Sequence, residues 1–397
     1  MKFLFVCEGL RATTARAQPW RHVIEISKRI QSLGHAVVVI SDGSKEAQAD
    51  DEIQGVSIKR VERKRLLLDI KELIKNIREE DADVLNWHAS DSWSSYYLWR
   101  MAKEVTDVVW TLHSGPLLTS DLTHIGIREV VDLPRFWNNF LNAFVPSFIV
   151  RKWVKDSGIK RIITLSKRLA THLQALQISA AHGYTHVIPS GVDTNQFRPA
   201  NQEDARQDLG LWSEDPIILY YGPMSSFRGV DTLLNAIPFI RREIASAKFL
   251  LLGRGSEGNI RLGKYRDEPS TVFVSRILTQ DEIVQYLAAA DVVVLPFKFW
   301  PQVECPLTIL ESMAVEKAVV STSTGAIPEI ISSGKNGVLV PPGNSVALAK
   351  EVTTLLESPE TRRRIERNAR KHVEGNYDWD GIVKQTIDVF KDALLDK

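Results

Sequence analysis

From one end of the chain to the other, short β-rich runs alternate with amphipathic helical stretches. Nothing else in the sequence restricts the fold as much. Parallel strands need a crossover of a dozen or more residues, usually a helix, so the pattern is that of repeated βαβ units. Strands are expected at 2–7, 36–40, 56–60, 83–87, 107–112, 161–165 and 185–188, and in a second series at 217–221, 248–252, 271–274, 291–295, 318–321 and 337–340. Helical periodicity lies between them, as in Trp20 to Leu33, Thr279 to Ala289 and Leu307 to Ala314. The first of these stops at Gly34, which accepts a left-handed backbone, and a buried strand follows at once.

At 397 residues the chain is long enough for two such domains. Pro189, Gly191 and Pro199 interrupt regular structure between the two series, and the boundary is expected there, giving domains 1–190 and 191–377. The last helix, 378–397, carries Ile382, Ile387, Val389, Phe390 and Leu394 and is expected to complete the first domain. The fold class is therefore α/β, with two Rossmann-like domains facing a cleft. Ligands in open α/β sheets sit beyond the carboxyl ends of the strands, which makes that cleft the expected site.

Composition removes several classes of function. Fifty Lys+Arg against 49 Asp+Glu leave a net charge of +1, so general nucleic-acid binding is not expected. Only Cys7 and Cys305 are present, which excludes a disulfide framework and favours a reducing, cytoplasmic setting. The apolar run from Phe3 ends at Glu8, too short for a signal peptide, and no stretch approaches the roughly 20 apolar residues of a membrane span. Asp81-Ala-Asp83 precedes a strand and Asp378-Trp-Asp380 opens a helix, so neither persuades as a metal motif. None of the nine His shows a metal spacing with nearby acids. No metal or other cofactor is expected.

The most informative stretch is Glu304-Cys-Pro-Leu-Thr-Ile-Leu-Glu311. A helix start offers amides to an anion, while a carboxylate such as Glu311 accepts bonds from vicinal hydroxyls, a combination that suits a nucleotide. Acids favoured by the helix dipole explain the same stretch when it is taken alone. Its neighbours decide. Leu33-Gly-His35, Val109-Trp-Thr-Leu-His-Ser114, the hinge Ile188 to Pro199, Tyr221-Gly222, Arg228-Gly229, Leu252-Gly-Arg-Gly255, Ala290 to Pro296, Gly325-Ala-Ile-Pro-Glu329 and Gly334-Lys-Asn-Gly337 follow in an order that resembles the retaining, GT-B fold glycosyltransferases of glycosyltransferase family 4.

That resemblance implies a nucleotide-sugar bound mainly by the C-terminal domain, an acceptor bound mainly by the N-terminal domain, and no metal. Arg228 stands where the family usually has a diphosphate-binding Lys, and a fixed cation there stabilises the departing nucleoside diphosphate. Glu311 matches the ribose-holding Glu that ends the family's E-x7-E motif. The first Glu of that motif falls on Val303, with Glu304 one residue closer, and Glu304 is the candidate to take its role. Leu307 and Thr308 offer helix amides to the donor, and Arg276 and Ile277 are placed at the base. Pro223 replaces a usual Arg after Gly222, and Arg254 or Lys298 is the nearest substitute cation. His113 matches a His that faces the donor sugar, although a lone His after a strand is equally well explained as structural. The loop after the first strand has Gly9 where a Gly pair is common, with Arg11 and Arg16 as its charges.

The implied activity is transfer of a sugar from a UDP- or GDP-sugar to a hydroxyl of a glycan or lipid-linked glycan. The alternative is a non-catalytic nucleotide-sugar-binding protein on the same fold, for which Val303 and Pro223 speak. A hydrolysing sugar-nucleotide epimerase shares the architecture without these hinge and Gly325 segments. A further partner is an anionic membrane surface. Phe136, Phe140, Phe144 and Phe148 recur at helical spacing beside Trp137, Leu141, Val145, Ile149 and Trp153, and basic residues flank 135–161. A helix packed on the sheet and kinked at Pro146 explains the same pattern.

Overall fold

The computed structural model describes residues 1–15, 18–43, 51–64, 67–89, 93–101, 107–113, 146–180, 183–211, 214–254, 265, 268–298 and 304–395. They divide into two compact units: described residues up to Ser190 joined by the final helix Trp379–Leu395, and Gly191–Asp378.

In the N-terminal unit the strands are β1 (Lys2–Cys7), β2 (Ala36–Asp42), β3 (Glu52–Ile53), β4 (Val56–Val61), β5 (Arg63–Lys64), β6 (Leu67–Leu68), β7 (Val84–Ala89), β8 (Val108–Leu112), β9 (Arg161–Thr164) and β10 (Thr185–Val187). The main sheet runs β10-β9-β8-β7-β1-β2-β4-β3, and only β3 is antiparallel to its neighbour. Central β1 shows why the sequence makes a sheet covered on both faces. Phe3, Phe5 and Cys7 enter one core with Trp379 and Phe390 of the last helix, while Leu4 and Val6 enter the other with Leu73 and Trp87. Each such buried side chain contributes about 1.5–3 kcal/mol.

The C-terminal unit has β11 (Ile217–Pro223), β12 (Lys248–Arg254), β13 (Thr271–Ser275), β14 (Val292–Leu295), β15 (Ala318–Thr322) and β16 (Val338–Val340), all parallel in the order β13-β12-β11-β14-β15-β16. Both sheets reverse direction of growth once, between β1 and β7 and between β11 and β14. In open α/β sheets ligands bind beyond the carboxyl ends of such strand pairs.

Every strand expected from the sequence is present, with ends shifted by at most two residues. The short strands β3, β5 and β6 were not expected, because two residues show no periodicity. Thr279 caps the helix Gln280–Ala289 through a capping box with Glu282, and the helix Leu307–Ala314 has the expected bounds.

The aromatic segment differs from its expectation. Its described helix is Ser147–Asp156, and Pro146 precedes the first turn instead of kinking a longer helix. Val150 and Val154 are buried, and Trp153 packs on Tyr96 and Trp99 at 5.4 and 6.4 Å, so this face belongs to the core. Lys160 is paired with Asp107, and Arg161 donates to the Asp392 carbonyl. Phe140 and Phe144 lie outside the described residues. Among the described residues no helix is long and apolar enough to cross a membrane.

Candidate functional site

In the C-terminal unit the chain leaves β11 through Gly222 and Pro223, then turns through the short 3-10 helix Ser226–Arg228. Gly229 has φ +73°, and a Cβ there would lie 1.6 Å from the Pro296 carbonyl oxygen. Only glycine lets this turn close against the chain leaving β14. Lys298 N–H donates to the Phe227 carbonyl at 3.0 Å, which ties the two strand ends together. The Arg228 guanidinium is held 4.9 Å over the Phe297 ring, a cation–π contact that fixes the charge at the reversal point of the sheet.

The helix Leu307–Ala314 reaches the same strand end through Tyr221. The Tyr221 hydroxyl donates to the Glu311 carboxylate and lies 3.1 Å from the Thr308 carbonyl oxygen. Glu311 and Glu304 are 3% and 2% exposed. The tyrosine hydroxyl supplies one neutral bond to this buried carboxylate. The Thr308 hydroxyl is buried and, among the described residues, has no partner. Gly222, Arg228, Lys298, Leu307, Thr308 and Glu311 are thus gathered around the ends of β11 and β14.

Other expected residues lie apart from that group. Arg276 and Ile277 follow the edge strand β13, where Arg276 pairs with Glu282 at 2.6 Å and Ile277 is exposed. Arg254 ends β12; its side chain, Val303 and Arg16 lie outside what the structure describes. Of the two Asp-x-Asp pairs, Asp83 accepts from the Lys2 backbone N–H at 2.7 Å, and Asp378 accepts from the Thr194 hydroxyl at 2.6 Å.

In the N-terminal unit the loop after β1 is bound to Asp42 at the end of β2. Gly9 N–H donates to this carboxylate at 2.5 Å, Arg11 pairs with it at 3.2 Å and Arg63 at 2.9 Å. Burial raises the Asp42 carboxyl, but the Gly9 amide and the two guanidinium groups outweigh it and hold the group below the usual carboxylate range. Much of the Arg11 charge is therefore compensated within the unit.

His113 directly follows β8, and its N–H donates to the Ala89 carbonyl at 2.7 Å. Its ring meets two others that the sequence did not single out. His88 on β7 is stacked on it at 5.3 Å, and His22, near the start of the helix Trp20–Ser32, meets it edge-on at 4.7 Å. The three offer one ligand atom each within 4.8 Å of one another, and all are buried. Burial holds His113 at about 3 and, with the neighbouring imidazoles, pushes His22 and His88 well below the ordinary value. Neutral imidazoles are the ligating form, so this donor set suits a transition metal. However, His88 Nδ1 and His113 Nε2 lie 3.1 Å apart and share a hydrogen bond, which a metal would have to displace. The outer nitrogens are engaged as well: His22 Nδ1 meets Ser190 Oγ at 2.9 Å, and His88 Nε2 meets Asn86 Nδ2 at 3.1 Å. Besides His113 itself, the polar Asn86 and His88 inside the otherwise apolar run of β7 are a sequence signal of this cluster.

Comparison with known proteins now adds to this geometry. The sequence pattern of the glycosyl transferases group 1 family matches residues 215–358, and that of glycosyltransferase family 4 matches residues 20–196. An uncharacterized glycosyltransferase of Methanocaldococcus jannaschii is 29% identical over 244 residues, 59% of this chain and 60% of its own length. The matches span less than two thirds of the length of the first curated relatives. Among solved structures, sucrose-phosphate synthase of Thermosynechococcus elongatus aligns over 100% of both chains with a TM-score of 0.78 at 18% identity. Anabaena HepE, solved with UDP, aligns over 99% of this chain and 100% of its own with a TM-score of 0.75, also at 18% identity. At such identities these two structures speak for the fold.

Proposed function

We propose that this chain, which belongs to the group 1 glycosyl transferases and has the GT-B fold, moves a sugar from a UDP- or GDP-sugar to a hydroxyl of a glycan or lipid-linked glycan. In this reading the anomeric configuration is retained and no metal takes part. The observation that carries it is Glu311, a buried carboxylate beside the Thr308 hydroxyl, which stands at a helix start and has no partner among the described residues. Glu311 accepts from the ribose hydroxyls, and the Thr308 hydroxyl and first helical amides meet phosphate oxygens. Arg228 stabilises the charge that grows as the bond from the anomeric carbon to the diphosphate oxygen breaks and its electron pair leaves with that oxygen. Attack from the same face sets the acceptor hydroxyl beside the departing oxygen, which takes its proton. HepE was solved with UDP-glucose, which makes that the first donor to try.

Calorimetry with UDP and GDP tests the nucleotide site. Glu311→Ala should weaken binding by about 1.5–3 kcal/mol, the range for a hydrogen bond to a charged group. Equal affinity in the two proteins would remove Glu311 from the site. A binding protein without turnover is the second reading, favoured by exposed Pro223 in place of a second cation, and it predicts nucleotide binding with no transfer to any acceptor.

A further inference from the structure

A hydrogen-bonded chain leads through the N-terminal sheet to His113. The Thr111 hydroxyl on β8 donates to Asn86 Oδ1 on β7 at 2.8 Å. That contact orients the amide and turns Nδ2 toward His88 Nε2, 3.1 Å away. An amide nitrogen only donates, so His88 Nε2 is the acceptor and the neutral ring keeps its proton on Nδ1. His88 Nδ1 then donates to His113 Nε2 at 3.1 Å. His113, neutral as well, must hold its own proton on Nδ1. Among the described residues this buried nitrogen has no hydrogen-bond partner.

Each step depends on the ring before it being neutral, since an imidazolium donates from both nitrogens and transmits no direction. Burial supplies that condition, for His88, His113 and the adjoining His22 all resist protonation. Thr111, Asn86 and His88 are themselves 1%, 0% and 3% exposed, so solvent does not rearrange the chain. A buried polar network normally ends with every group satisfied. This one ends on a donor at the carboxyl end of β8, close to where the sheet reverses.

We propose that Thr111, Asn86 and His88 are positioning residues that lock His113 as an Nδ1–H donor. Such a lock makes the site selective for an acceptor oxygen at that point and unfavourable to a second donor.

Long-range proton–nitrogen NMR on the full chain with 15N-labelled histidine reads each tautomer without any ligand. His88 and His113 are expected wholly in the Nδ1–H form in the unmodified protein and in Thr111→Ser, which keeps the hydroxyl. Thr111→Val keeps the β-branched shape but frees the amide to turn over, and His113 should then appear as a mixture. Asn86→Leu removes the donor to His88 and should do the same. An Nε2–H form of His113 in the unmodified protein, or a tautomer indifferent to both variants, overturns the lock. So does one zinc ion per chain retained through dialysis, because a metal between His88 and His113 replaces their hydrogen bond.

Discussion

The two units bury polar side chains in different ways. In the C-terminal unit the network is closed. Lys317 gives its ammonium protons to the carbonyls of Ala288 and Ala290 at 2.8 and 3.1 Å, Arg206 pairs with Asp291 at 2.7 Å, and Asp291 also accepts from Ile217 N–H at 2.8 Å. In the N-terminal unit the chain through Asn86 and His88 runs out at His113 Nδ1. Closed networks hold strands and helices together, whereas an open end leaves a bond that a ligand can complete. Among the described residues of the C-terminal unit, the hydroxyls of Thr308, Thr232 and Thr271 are likewise without a partner, and of these Thr308 stands at the start of the helix Leu307–Ala314.

Substitutions should separate the two kinds of network by what they damage. The largest effect is expected from Asp291→Ala, which leaves the buried Arg206 guanidinium without its carboxylate. Removing one partner of a buried pair costs about 3–5 kcal/mol, read as a lower urea midpoint. The fraction that stays folded should bind nucleotide normally. A variant of unchanged stability would show that this network is no brace.

Arg228→Ala should do the reverse. Its loss is expected to lower turnover by roughly 10²-fold, as for one electrostatic stabiliser, with the unfolding midpoint nearly unmoved. Turnover should survive a chelator in the parent protein. Loss of activity in chelator, restored by a divalent metal, would direct attention to the three imidazoles instead.

Acid sharpens the contrast between the units. His113 holds at about 3 in the folded chain, whereas a free imidazole titrates near 6.5, so below pH 6.5 the unfolded chain takes up a proton that the folded chain refuses. Stability from this group is complete above 6.5 and is lost as pH falls toward 3. Between pH 7 and 5 the loss is about 2 kcal/mol from His113 alone. His22 and His88, lowered for the same reason, add to it. Glu366, raised by burial in the C-terminal unit, works in the opposite direction. Hydrogen exchange should therefore show the N-terminal unit losing protection first. Equal loss in both units would mean that the cluster is solvated.

The strands were legible because a buried parallel strand is a short apolar run bounded by turn residues, as in Val292–Leu295. Gly229 was legible as part of a motif, but the reason for it, the Pro296 carbonyl, lies at the end of another strand. The histidine cluster was not legible. Its members stand at positions 22, 88 and 113, and only the pairing of β7 with β8 brings His88 and Thr111 into register. Arg11 looks in the sequence like a charge for ligand because its compensation by Asp42 depends on β1 and β2 being neighbours. Local pattern fixes elements, while partners in a parallel sheet are set across long crossovers that a single sequence does not reveal.

The smallest effect concerns a surface whose two faces repeat the contrast on one helix. Within Ser147–Asp156, Val150 and Val154 face the core, and the opposite side presents Phe148, 64% exposed, with Lys152 and Lys155 at helical spacing from it. An exposed aromatic beside two cations suits the interface of an anionic bilayer, where each basic residue adds about 1 kcal/mol. Vesicles rich in phosphatidylserine should bind the chain weakly at low salt and release it as salt rises. Phe148→Ser should reduce that binding several-fold without touching stability, since the residue packs on little. If the chain ignores such vesicles at low salt, the outer face of this helix is merely solvated, and the lipid-linked acceptor loses its physical support while the soluble glycan keeps its own.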